Sequence, residues 1–202
     1  RMCGVFGVYH HPHAAQVAAI GLHALQHRGQ ESAGLTVACG RDLRTHRAMG
    51  HVAAVFDEAT LAGLPGSVAI GQVRYSTTGS SLLKNAQPLC LDTARGSLAV
   101  AHNGNLTNAI PLRRELSDRG ALFSSSTDTE VVLQLLAHQP PGTLAERVLR
   151  TVERLEGAYS MLVLEDDQLV AVRDPCGYRP LVIGRRLDAQ AMPGWWPRKP
   201  RP

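Results

Sequence analysis

Aromatic side chains are scarce in this sequence, with Phe, Tyr and Trp supplying only 4% of its 202 residues. Hydrophobic residues still reach 44%, enough for a sizeable core, but one built mainly from Ala, Val and Leu. No run of eighteen apolar residues occurs, which argues against a membrane span. The opening RMCGVFGVYHHPHAAQVAAIG has one basic residue and is soon broken by polar and imidazole side chains, a poor secretory signal. Four cysteines (Cys3, Cys39, Cys90, Cys176) form no CxxC pair. A chain of this size needs no disulfide framework, so a reducing, cytoplasmic setting is expected. A Walker sequence, a GxGxxG motif and a repeat period are all missing.

The net charge of +4 belongs to one end of the chain. Residues 1–184 hold 16 basic and 16 acidic side chains, while residues 185–202 hold Arg185, Arg186, Arg198, Lys199 and Arg201 against Asp188. No basic stripe with interleaved aromatics crosses the body, so nucleic acid is not an expected partner. The end itself, RRLDAQAMPGWWPRKPRP, has four prolines and no periodicity and reads as an extended or disordered tail.

The rest of the chain has clear periodicity. CGVFGVY (3–9) reads as a strand, AAQVAAIGLHALQ (14–26) as a helix, and LTVAC (35–39) as a second strand. Residues 43–56 suggest a short strand passing into a helix. GSVAIGQVRYST (66–77) reads as a turn and a strand with a polar end. SLAVAHNGNLTN (97–108) repeats that plan, with the strand expected to stop at the Asn103-Gly104 corner. Helices are expected from near Asn108 and from near Asp128, the second ended by Pro140 and Pro141. A third, over 143–157, carries a capping-box pattern in Thr143 and Glu146 and is expected to close at Gly157. YSMLVLED and QLVAVRDP then form a hairpin about Asp166–Asp167. Helices are grouped rather than inserted after each strand, which predicts a layered α+β architecture.

Several positions combine chemistry with a strand or helix end. Cys3, once freed of the two residues before it, carries a thiol beside an α-amine. That amine can serve as the local base and later protonate a leaving group. Arg74 ends the strand VAIGQVR with a planar fork suited to a carboxylate, or to an ordinary surface ion pair. Tyr75, Ser76, Thr77 and Thr78 add hydroxyl groups beside it. Asn103 and Gly104 suit either an oxyanion hole or an Asn-Gly turn. Asp128 is explained equally by capping its helix and by holding an α-ammonium group. His27 and Arg28 either orient a loop over the nucleophile or complement a helix C-terminus. His10, His11 and His13 lack the accompanying ligands of a zinc site and read as a surface cluster; His102 at another strand end does not complete one. Cys176 has no local base and reads as packing.

Together, CGVFGVY, LQHRGQESAG, GQVRYSTTGSS, NAQP, HNGNLTN, STDTE, EGAYS and RDPCGYRPLVIG resemble the class II glutamine amidotransferase domain, within the N-terminal-nucleophile hydrolases. The similarity runs from Cys3 to about Gly184 and is greatest to the purine-synthesis branch, the glutamine phosphoribosylpyrophosphate amidotransferases. HRGQES, VRYSTTG and RDPCGYRPL separate that branch from the glucosamine-6-phosphate and asparagine synthetase branches. The resemblance implies a four-layer αββα sandwich over residues 3–184, L-glutamine as substrate, and neither cofactor nor metal in this domain. It implies Cys3 as nucleophile, Asn103 and Gly104 as the oxyanion hole, and Arg74 and Asp128 as holders of the glutamine carboxylate and α-amine. Arg28 is implied in a loop that closes over glutamine, with Tyr75 and Thr77 lining the pocket.

Two departures qualify these expectations. Arg1 and Met2 precede Cys3, so its nitrogen is a peptide amide until both are removed. The family's phosphoribosyltransferase domain has no counterpart in these 202 residues, so phosphoribosylamine synthesis is not expected of this chain by itself. A non-catalytic assembly or regulatory module, another class II branch, and a homo-oligomer remain open at the level of sequence.

Overall fold

The computed structural model describes residues 3–75 and 82–185. Arg1 and Met2, Thr77 with its neighbours Ser76 and Thr78, and the tail from residue 186 onward lie outside the described residues.

The chain opens with strand β1 (Gly4–Val8) and helix α1 (Ala14–Ala24), followed by β2 (Ser32–Cys39) and β3 (Asp42–Met49). Two short helices, α2 (Val52–Val55) and α3 (Glu58–Ala62), lead to β4 (Val68–Arg74). These four strands form one antiparallel sheet in the order β1-β4-β2-β3. The second half begins with β5 (Leu89–Thr93) and β6 (Gly96–Leu106) and continues through α4 (Ala109–Asp118), α5 (Asp128–Ala137) and α6 (Leu144–Val152). It ends with the hairpin of β7 (Gly157–Glu165) and β8 (Gln168–Arg173). Its antiparallel sheet has the order β5-β6-β7-β8.

Three apolar layers hold four layers of structure together. On the outside of the first sheet, Ala14, Ala15, Ala18, Ala19 and Leu22 of α1 pack on Leu35, Val37, Ala69 and Val73. Alanine lets that helix approach the strands closely, and fills the role that aromatics play elsewhere. On the outside of the second sheet, Leu116, Val131, Leu135, Leu136 and Val148 from α4–α6 pack on Leu98, Val100, Met161 and Val163. Between the sheets lie Ala38, Val68, Ile70, Ala99, Ala101, Leu162 and Leu164. Alternation along the strands produces this division: Ala69 and Val73 face the helices while Val68 and Ile70 face the other sheet. Both faces of β4 are therefore buried, which accounts for its nearly unbroken apolar run. The result is the αββα sandwich of the N-terminal-nucleophile type.

Thr143 and Glu146 form the capping box in full. Two expectations are corrected. α6 ends at Val152, not at Gly157; Leu155 continues to pack on the core after the helix has stopped. β6 does not stop at Asn103-Gly104 but runs on to Leu106, pairing Asn103 with Ser160 and Gly104 with Tyr159. Cross-strand pairing overrides the local turn preference of Asn-Gly.

Candidate active site

Cys3 lies just before β1, and β1 pairs with β4 so that Gly4 stands opposite Val73. This register brings Cys3 to Tyr75, 72 positions away in sequence. The Cys3 thiol points to the Tyr75 carbonyl at 3.6 Å, and the Tyr75 N–H donates to its Sγ at 3.5 Å. The Cys3 carbonyl accepts a bond from Arg28 Nε at 3.0 Å. Arg28 belongs to a 3-10 turn over Gln26–Arg28, and a second guanidinium nitrogen, Nη2, is buried with no partner among the described residues. Gly29 follows because its Cα rests against β4: a Cβ there would lie 2.7 Å from the Val73 carbonyl oxygen. His27, Arg28, Gly29, Gln30 and Tyr75 line a cleft of about 140 Å³, and two of these residues, Arg28 and Tyr75, are hydrogen-bonded to Cys3.

Arg74 is buried, and its guanidinium meets the Glu31 carboxylate at 2.7 Å. The surface ion pair considered from sequence is thus an interior one. Backbone bonds hold the same loop on the sheet, from Glu31 N–H to the Arg74 carbonyl and from Gly50 N–H to that of Glu31.

Asp128 is the first residue of α5, following Thr127 at the N-cap. Its Oδ2 accepts the Leu106 N–H at 2.9 Å, and its Oδ1 lies 3.5 Å from His102 Nδ1. Helix capping alone therefore does not account for it: the carboxylate is turned toward β6. Burial works to raise its pKa, but the His102 contact and the backbone N–H groups of Leu106 and Thr129 prevail, holding it below the usual carboxylate range.

Opposing influences also act on the Cys3 thiol. Burial pushes it up, the Tyr75 backbone and the Arg74 charge pull it down, and the carboxylates of Asp128 and Glu31 push it up again; the net shift is upward. One thiol thus feels Arg74, Asp128 and Glu31 together. At neutral pH it is held as the thiol, so attack requires a base to take its proton.

Cys3, Arg28, Arg74, Tyr75 and Asp128 are brought together in this way. Asn103 and Gly104 lie on the adjoining stretch of β6, where no hydrogen bond joins them to Cys3 among the described residues. The Asn103 side-chain amide faces Ser160 Oγ at 3.5 Å. Gly104 is required by packing: a Cβ would collide with the Ala158 carbonyl and lie 2.7 Å from Tyr159 Cα. Glu31 and His102 are not marked as site residues by local pattern. The signal for His102 is polarity inside an apolar strand, SLAVAH, as for Gln72 of VAIGQVR; Glu31 precedes β2 and carries no such signal.

A family model described as a glutamine amidotransferase domain matches residues 73–192, more than half of the chain. The chain belongs to this family. The matched span includes Arg74, Tyr75, Asn103, Gly104 and Asp128, while Cys3 and Arg28 precede it. Amidophosphoribosyltransferase 3, chloroplastic, of Arabidopsis thaliana is 50% identical over 186 residues, covering 92% of this chain and 35% of that protein. The amidophosphoribosyltransferase of Methanocaldococcus jannaschii is 46% identical over 188 residues, covering 91% and 40%. Among solved structures, glutamine phosphoribosylpyrophosphate amidotransferase from B. subtilis, complexed with ADP and GMP, superposes with a TM-score of 0.84 at 40% identity. That superposition covers 91% of this chain and 40% of the other. The chain therefore spans about a third to two-fifths of the length of these relatives. Among the described residues, no helix is long and apolar enough to cross a membrane.

Proposed function

We propose that residues 3–184 form a glutaminase domain that hydrolyses the side-chain amide of L-glutamine to glutamate and ammonia through a thioester on Cys3. The observation that carries this reading is the shared electrostatic neighbourhood of the Cys3 thiol, Arg74 and Asp128. A nucleophile that feels both a cation and an anion suits a zwitterionic substrate, with its carboxylate at Arg74 and its α-ammonium at Asp128. Arg28 and Tyr75 border the cleft through which the substrate approaches.

The first step is removal of the thiol proton. The α-amine of Cys3, with a reference pKa of about 7.7, takes the thiol proton, and Sγ attacks the amide carbon. The Asn103 side-chain amide and the Gly104 N–H stabilise the oxygen of the tetrahedral intermediate. The protonated amine then gives its proton to the departing nitrogen, which leaves as ammonia. Water adds to the γ-glutamyl thioester, glutamate is released, and the thiol is restored. A nitrogen in peptide linkage to Met2 cannot take that proton, so the active chain begins at Cys3.

The test is intact mass spectrometry of chains with and without Arg1-Met2, after incubation with 6-diazo-5-oxo-norleucine. One adduct at Cys3, confined to the chain that begins there, is the expected result. Neither adduct nor glutaminase activity in that chain overturns the reading.

The wider role we propose is the glutaminase part of an amidophosphoribosyltransferase in de novo purine synthesis, supported by identities of 46–50% to two of the proteins so named. Ammonia then serves a phosphoribosyltransferase domain or subunit beyond these residues. Phosphoribosylamine should form from glutamine only when that second part is present. All four cysteines are free thiols, which suits action in the reducing cytoplasm.

A further inference from the structure

We propose that His102 is a positioning residue for glutamine capture, holding the Asp128 carboxylate in the orientation that receives the substrate's α-ammonium. This rests on the reading of Asp128 as the ammonium clamp.

His102 is only 2% exposed, and its backbone is fixed from both sides. β5 begins at Leu89, opposite Val100, so two residues further along β6 has no β5 residue beside it on that edge. Side chains take over. Gln87 Oε1 accepts the His102 N–H at 2.8 Å, and Gln72 Nε2 donates to the His102 carbonyl at 2.5 Å. Gln87 also donates to Thr129 Oγ1 at 2.8 Å, so one glutamine spans β6 and the start of α5.

The imidazole reaches the same helix start. Its Nδ1 lies 3.2 Å from Thr129 Oγ1 and 3.5 Å from Asp128 Oδ1. Among the described residues, the polar contacts of the ring are therefore to the two residues that open α5. Nε2 is buried with no partner among the described residues, beside Gly104, where a Cβ would lie 2.8 Å from it. A ring present only to fill space would be better replaced by an apolar one, because burying an unsatisfied nitrogen is unfavourable. Its one engaged edge faces the carboxylate. With the Leu106 N–H on Oδ2, a donor at Nδ1 favours the ionised Asp128 carboxylate in this orientation. The same ring lies against Gly104, so a single side chain joins the ammonium subsite to the proposed oxyanion subsite.

Two near-isosteric substitutions separate positioning from packing. His102→Asn keeps an amide N–H at the place of Nδ1, whereas His102→Gln moves it to the place of Nε2. In the chain that begins at Cys3, His102→Gln should raise KM for glutamine about tenfold with kcat within about threefold. His102→Asn should stay within about threefold of the unsubstituted enzyme in both. Adding His102→Gln to Asp128→Asn should bring no further rise in KM. Equal rises in both His102 variants, additivity with Asp128→Asn, or an unchanged KM overturns the inference. If Asp128→Asn itself leaves KM unchanged, the clamp reading falls and this inference with it; if only His102→Gln has no effect, the clamp stands alone. A measurement that needs no substitution uses the ¹⁵N resonance of His102 Nδ1. It should move on adding glutamate and stay in place on adding glutarate, which lacks the α-ammonium. No shift with glutamate, or the same shift with both, overturns the inference.

Discussion

The central strands β4 and β6 each have an apolar end and a polar end, equally buried. Val68 and Ile70 on β4, with Ala99 and Ala101 on β6, pack in the seam between the sheets. A few residues further on, Gln72, Arg74, His102 and Asn103 are also at most 4% exposed. Burial means opposite things at the two ends. In the seam it removes apolar surface from water and stabilises the sandwich directly. At the polar end it is tolerated because partners are supplied: Glu31 for Arg74, Gln72 and Gln87 for the His102 backbone, Asp128 and Thr129 for its ring. The lower local dielectric also strengthens the charges that act on Cys3. One pair of strands thus provides stability and a reactive environment through a change of side chain within six positions.

Substitutions at the two ends should separate these effects. The largest change is expected from Cys3→Ser, which should lower glutaminase turnover by about 10³-fold or more while leaving the melting temperature almost unaltered. Activity within tenfold of the parent would reject Cys3 as nucleophile. Ile70→Ala, in the seam, should destabilise the fold by about 2–5 kcal/mol in chemical denaturation with no change in KM for glutamine. A changed KM would show that the seam and the site are not separable. Arg74→Lys keeps the charge beside Glu31 but loses the planar fork, so KM should rise about tenfold with stability nearly unchanged. An unaltered KM would remove Arg74 from carboxylate binding. The smallest effect is a titration. Burial is the chief cause of the raised Cys3 pKa and the Asp128 carboxylate adds to it, so Asp128→Asn should move the midpoint of Cys3 alkylation to lower pH. A midpoint that stays in place or rises contradicts this electrostatic coupling.

Much of the architecture is legible in local pattern. The apolar run of VAIGQVR, the alanine face of residues 14–24 and the Thr143–Glu146 box each point to the element observed. β5 is not legible in the sequence because LCLDT is short and half polar, with Cys90 and Asp92 both exposed; only its pairing with β6 makes it a strand. The Asn103-Gly104 corner misleads for a related reason. The dipeptide favours a turn by itself, yet Ser160 and Tyr159 of β7 draw it into the ladder. In the site, Cys3, Arg74 and Asp128 stand out as residue types at strand or helix ends. Glu31 does not, since nothing within HRGQES indicates that its carboxylate meets Arg74, 43 positions on.

By itself, then, the sequence determined which faces are apolar, where most elements begin, and which side chains carry chemistry. These follow from periodicity and capping, which act over a few residues. Tertiary structure alone decided which polar groups meet: Cys3 with Tyr75, Glu31 with Arg74, and His102 with the start of α5. Those meetings depend on strand order and register across separations of 27 to 72 residues. A buried polar group also takes its partner from whichever distant segment the packing brings alongside.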